Sequence, residues 1–257
     1  MKKYDLTDET ITIVDNLNIS HTLYRIRSAI DFGDIKAGEL GGFIEKESNL
    51  SHNGKCWIYN AAIVYGAAEV VQDATITDHA KVFGNARISG NAIIHHDAKV
   101  FDNARVYGNA EAFDHAKISH NTEVYGYAVV SGNTQILGSA RIYGHAEISD
   151  NVKVFGNAEV FGYAKVYGKA SVYGNARVYG DSTVYGKASI HRNAQVFGKA
   201  EVFDYAEISD NTRVYDLAKV YDVAVVEDFA CIYGEAIVCQ HANVGRFTKV
   251  LSGKIET

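Results

Sequence analysis

Ten histidines and three cysteines are the side chains of this 257-residue chain with the widest chemistry near neutral pH. A histidine acts as a general base only where a concavity positions a substrate and excludes water. His79, His96, His115, His120, His145 and His241 stand where Gly, Asp or Asn otherwise recur, so they read as corner residues. His95 and His191 fall where aromatic rings recur, and His95-His96 and His191-Arg192 are the pairs least like their surroundings. Cys56, Cys231 and Cys239 are too few and too scattered for a disulfide framework or a zinc site, so no metal is expected. The chain has no Gly-Lys-Ser/Thr phosphate loop, no His-Glu-x-x-His and no nucleophile elbow. No residue is assigned a catalytic role.

What positions these side chains is a repeat. Stepping by six from Ala62 to Thr248 meets 32 positions, of which 26 are alanine. The others are Thr122, Thr134, Val152, Ser182, Thr212 and Thr248. Val or Ile follows two residues later in 31 cases, with Ala112 the exception, and the phase never slips. A period of six fits neither a helix nor a heptad, and β-branched residues beside Gly-Asn pairs favour strand and turn. Residues two apart share one side of a strand, so the small residue and the aliphatic face inward together. The intervening Lys, Arg, Glu, Gln, Ser or Thr faces out. Gly, Asp, His or Asn then tolerates the positive φ of a sharp corner. Three such units close a triangular coil, and about 11 coils stack with Val and Ile filling the axis. An unbroken convex prism of this kind offers a concavity only between subunits.

The pattern Val172-Tyr-Gly-Asn-Ala-Arg177, read as aliphatic-x-x-x-small-x, resembles the hexapeptide-repeat, left-handed parallel β-helix family. Leu23-Tyr-Arg-Ile-Arg, the run from Gly38 to Glu47 and Cys56-Trp-Ile-Tyr resemble its YdcK-like branch, which occurs in bacteria and prophages and has members labelled transferases. The resemblance implies an all-β, left-handed parallel β-helix. Many relatives are trimeric acyltransferases that bind an acyl-coenzyme A donor between subunits, with a histidine as base and a loop leaving one coil. Residues 62–248 contain no such loop. A small N-terminal β cap is expected over residues 1–43, with strands near Thr10–Val14 and Thr22–Ile30, then the β-helix over 44–250 and a tail at 251–257. Ile44, Leu50 and Cys56 are expected to continue the inward phase, and the tail, too short for a helix, either folds back over the last coil or leaves it for a partner.

Positions 18 apart stack, which sorts the outside into rows. Tyr107, Tyr125, Tyr143, Phe161, Tyr179, Phe197, Tyr215 and Tyr233 form an aromatic strip without a gap. Tyr167, Tyr185, Phe203 and Tyr221 form a second row, and a third is broken by Ser119, Leu137, His191 and Ser209. Stacked rings stiffen such a coil and also suit a binding surface. Charge ladders such as Arg141, Glu159, Arg177 read as a solvated face. Near the C-terminus, Val225, Cys231 and Ile237 replace outward polar residues, and Leu217, Val223, Phe229 and Phe247 replace polar corners. Exposed apolar groups of this kind mark a contact surface for a protein partner or a second copy.

A net charge of −6 argues against a general nucleic-acid binder, although Lys81, Lys99, Lys117 and Lys153 beside Phe83, Phe101 and Phe155 resemble a single-strand track. No membrane span or secretory leader is evident, and a reduced cytoplasmic setting is expected. The leading expectation is a non-catalytic β-helical scaffold that binds a partner or itself through the C-terminal coils and the aromatic strip, with no cofactor. The alternative is a trimeric acyltransferase using an acyl-coenzyme A-type donor at subunit boundaries. A third, resting on the resemblance alone, is a phage-type host-interaction or anti-defence protein.

Overall fold

The computed structural model describes residues 2–256, which divide into two compact units, 2–125 and 126–256. The expected fold is found: an all-β parallel solenoid of about 12 turns with 18 residues per turn. Among the described residues, no helix is long and apolar enough to cross a membrane.

Each hexapeptide makes a two-residue strand and a corner. In the first unit Lys81–Val82 pairs in parallel with Lys99–Val100, and Arg87–Ile88 with Arg105–Val106. In the second, Lys153–Val154 pairs with Ser171–Val172, and Glu159–Val160 with Arg177–Val178. The inward aliphatics and alanines of the repeat are buried in both units, and burying each Val or Ile contributes about 1.5–3 kcal/mol before chain entropy is subtracted. At three of the positions where a hydroxyl replaces alanine it bonds to the carbonyl three residues back, Thr122 to Ser119 (2.9 Å), Thr134 to Ser131 (2.6 Å) and Ser182 to Tyr179 (2.9 Å), while Thr212 donates to Val226 O (3.4 Å). A buried oxygen is thereby satisfied without widening the coil. Thr248, the last position of the series, is exposed.

Corners are left-handed. At Gly90 (φ +67°) a Cβ would lie 2.7 Å from the N and O of Gly108, so the close approach of the next coil favours glycine there. Aspartate at the same place, as at Asp222 (φ +59°), instead accepts the N–H of the residue one coil on, here Gln240 at 2.8 Å.

The repeat is broken at both ends. Strands β1 (Tyr4–Val14) and β2 (Ser20–Ser28) form an antiparallel hairpin, and β3 (Leu40–Ile44) pairs antiparallel with β2 and parallel with Ile63–Val64. Ile44 and Leu50 point inward as expected, but they pair with Val64 and Val70 and so take aliphatic slots, whereas Cys56 takes a small-residue slot. The turn between them is two residues longer than the repeat. Buried Asn49 holds the turn before Leu50, donating to Gly66 O (3.1 Å) and Ala68 O (2.8 Å) and accepting the Lys46 N–H (3.0 Å). At the other end Lys254–Ile255 pairs in parallel with Ile237–Val238, so the segment expected to be a tail supplies a strand and does not fold back.

Replacing Ile190 by Ala, which empties one axial position, is expected to destabilise the protein by about 2–5 kcal/mol. The same change at its outward neighbour Ser189 should stay within about 0.5 kcal/mol. Thermal melts of the two variants side by side check this.

Candidate ligand-binding groove

The N-terminal hairpin is amphipathic, and its apolar side has one place to go. Ile11, Ile13 and Leu23 pack on Phe43, Ile63, Tyr65 and Phe83, which face outward from the first coils. Residues that a bare solenoid would expose are buried here. The hairpin turn is held by Asp15, whose Oδ1 accepts the N–H groups of Leu17 (2.9 Å) and Ile19 (2.8 Å), with Asn18 in the left-handed conformation. This turn overhangs the solenoid face and leaves a groove of about 610 Å³. The expectation that a concavity arises only between subunits is therefore corrected: the hairpin makes one within the first unit.

The floor is the ring stack Tyr65, Phe83 and Phe101, with centroids 5.0 and 4.9 Å apart and planes within 8°. One wall is Ile13–Leu17, and Lys81, Lys99 and Lys117 line the opposite rim. The three lysines are directly in register on adjacent strands, about 4.8 Å apart along the coil axis. Other charged columns contain cross-coil ion pairs: Lys165 with Glu147 at 3.0 Å, Arg177 with Glu159 at 2.9 Å, Lys219 with Glu201 at 2.9 Å. The lysine column has no ion pair among the described residues. Like charges directly opposite on neighbouring strands repel, so this rim is predisposed to hold anions. Lys153, grouped with these lysines by sequence, lies in the second unit.

His21 anchors the wall. Its Nδ1 is 2.8 Å from Glu45 Oε1, its Nε2 is 3.4 Å from Asp15 Oδ2, and its ring packs against Tyr65 at 4.9 Å. The Glu45 hydrogen bond outweighs partial burial and raises the imidazole pKa above 6.5. Burial opposes ionisation of Glu45, but the His21 bond and the Gly66 N–H (2.7 Å) hold its carboxyl below the usual range. An imidazolium gripped on both nitrogens by carboxylates is a strut, not a base. Sequence periodicity missed His21, Glu45 and Asp15 because all three lie outside the six-residue phase.

The aromatic strip is present as stacks within each unit. Tyr107 lies on Tyr125 (4.9 Å) in the first; Tyr143, Phe161, Tyr179, Phe197, Tyr215 and Tyr233 stack at 4.7–5.1 Å in the second. Tyr167, Tyr185, Phe203 and Tyr221 stack likewise. His191 does not break the third row: its ring continues the Phe155–Tyr173 stack at 4.8 Å, with Nε2 2.8 Å from Glu207. A corner ladder, Tyr127–His145–Tyr163, was not expected.

The seven C-terminal residues are spread around the last coils. Val225, Cys231 and Ile237 sit half-buried on three different sheets, each flanked along its column by polar or charged residues. Leu217 and Val223 are exposed at corners. Only Phe229 and Phe247, 51% and 77% exposed, are brought together, stacked at 5.1 Å.

A family model described as the YdcK beta solenoid repeat matches residues 80–96 and 170–192. Over 81 residues the chain is 36% identical to the Escherichia coli (strain K12) protein named "Uncharacterized acetyltransferase YdcK", covering 30% of this chain and 25% of that relative. The aligned part thus spans about a quarter of the relative's length. The resemblance to the YdcK-like branch is borne out.

The His21 clamp has a defined pH dependence. A raised folded-state pKa gives stabilisation that is full below 6.5 and is lost as pH rises through the raised value. Nuclear magnetic resonance should show the His21 ring titrating above 6.5, with hairpin amide protection, corrected for intrinsic exchange, falling over that interval. His21→Gln should abolish the pH dependence and cost about 1–2 kcal/mol of local stability on its acid side.

Proposed function

We propose that this chain, built of YdcK-type solenoid repeats, binds an anionic, ring-bearing ligand of the acyl-coenzyme A type in the hairpin groove, and that acyl transfer is the reaction it serves. The observation that carries this reading is the unpaired lysine column beside the stacked rings. Phosphate groups neutralise a cation column, and phosphate oxygens accept the ammonium protons. The stacked rings turn their edges outward, and a ring edge is the electropositive part that attracts the face of a ligand ring. The volume of about 610 Å³ falls within the range of small-molecule sites. The name of the Escherichia coli relative supplies the reaction class.

A second reading is favoured by Phe229 and Phe247. Two stacked, solvent-facing phenyl rings are an apolar anchor, and a second copy of this chain presents the same pair for an isologous contact. The half-buried Val225, Cys231 and Ile237 would then shape the contact, while the two rings carry its energy.

Acetyl-coenzyme A should raise the melting temperature in a concentration-dependent way, and Lys81→Glu with Lys99→Glu should remove the shift while leaving the unliganded melt within a few degrees. No shift with the unaltered protein would count against the groove reading. Light scattering should report a dimer that Phe229→Glu with Phe247→Glu converts to a monomer; a dimer surviving both changes would place the contact elsewhere.

A further inference from the structure

We propose that Asp78, His95 and His96 form a binding site for a divalent transition-metal ion of zinc's class. Strand Ile93–Ile94 runs directly into a corner, where His95 takes a place otherwise given to an aromatic ring. His96 follows with φ +54°, and this left-handed step leaves the two ring centroids 4.6 Å apart. Asp78 holds the equivalent corner one coil earlier, and its Oδ2 accepts the His96 N–H at 3.1 Å. One ligand atom from each of the three residues lies within 4.8 Å of the others. Metal–ligand bonds of about 2.0–2.1 Å need somewhat closer spacing, which rotation of the exposed His96 side chain supplies.

The surroundings are those of a metal site. The next coil contributes two carboxylates, Glu111 at 2.8 Å from His95 Nε2 and Asp114 at 3.3 Å from His96 Nδ1. A carboxylate on one ring nitrogen fixes the tautomer and raises the basicity of the other, which is left for the ion. Phe113 stacks on His95 at 4.9 Å and limits its swivel. Asn60 donates to Asp78 Oδ1 at 3.3 Å and holds that carboxylate in place. Two imidazoles and one carboxylate favour zinc-class ions over magnesium or calcium, which take oxygen ligands. By contrast, His115 and His120 each face a single aspartate, Asp97 and Asp102.

Isothermal titration of the full chain with zinc chloride tests the assignment. One zinc ion per chain should bind, with magnesium giving no heat at the same concentration. His96→Gln and Asp78→Asn should each weaken binding at least tenfold, and Glu111→Gln about 10- to 100-fold. Circular dichroism of each variant should match the unaltered chain. Zinc bound equally well by His96→Gln and Asp78→Asn, or no zinc bound by the unaltered protein, would overturn the proposal. Zinc binding should also persist in the Lys81→Glu, Lys99→Glu protein, which separates this site from the groove.

Discussion

The molecule depends on keeping its six-residue register. Within each unit the coils turn Val and Ile, with Ala112 the exception, toward an axis lined mostly by alanine, and these side chains are buried. A slip of one residue would turn each Val or Ile outward and bring a Lys, Arg or Glu into a space with no water and no partner. The penalty falls on every coil beyond the slip, so the phase holds for nearly the whole chain. Even the exceptions respect it, since Thr122, Thr134 and Ser182 return their hydroxyls to the backbone.

A fixed register has a consequence for the outside: like residues stack on like residues at the strand spacing. Rings gain from this, lying nearly parallel about 4.8 Å apart. Asparagines gain too, each amide donating to the carbonyl oxygen of the next, as in Asn157, Asn175 and Asn193 at 3.1 Å. Charges lose unless they alternate, and Glu147–Lys165 and Glu159–Arg177 do alternate. The column Lys81, Lys99, Lys117 keeps its repulsion, and it lies where the hairpin has built a wall. Repulsion tolerated beside a concavity is a structural reason to look there for an anion.

The repetitive part of the fold was legible in the residues because periodicity is a strong signal when one register buries everything apolar. The same reading gave the aromatic rows and the lysine column. The expected count of about 11 coils is close to the observed count of about 12, and Lys254–Ile255 adds a strand beyond the expected end. The slot shift at Ile44 and Leu50 was hidden because it follows from two extra residues in the turn between Leu50 and Cys56, a lengthening no repeat predicts. The groove was hidden for a different reason. β1 and β2 were readable as strands, but their seat on Tyr65 and Phe83 is a tertiary choice made by Ile11, Ile13 and Leu23. The spread of Val225, Cys231 and Ile237 over three sheets followed from the phase, and so does the stacking of Phe229 on Phe247, 18 residues apart.

A regular solenoid presents ridges of equal height and therefore little to distinguish one ligand from another. Selectivity has to come from places where the repeat is interrupted or its outward residues change class. The hairpin does the first, turning a flat ring column into the floor of a groove and carrying its own lock in Asp15, His21 and Glu45. The His95-His96 corner does the second, replacing ring and turn residues by two imidazoles while leaving the backbone path and inward packing unchanged. Neither departure disturbs the axis. The outward half of each hexapeptide is thus free to acquire chemistry without weakening the fold.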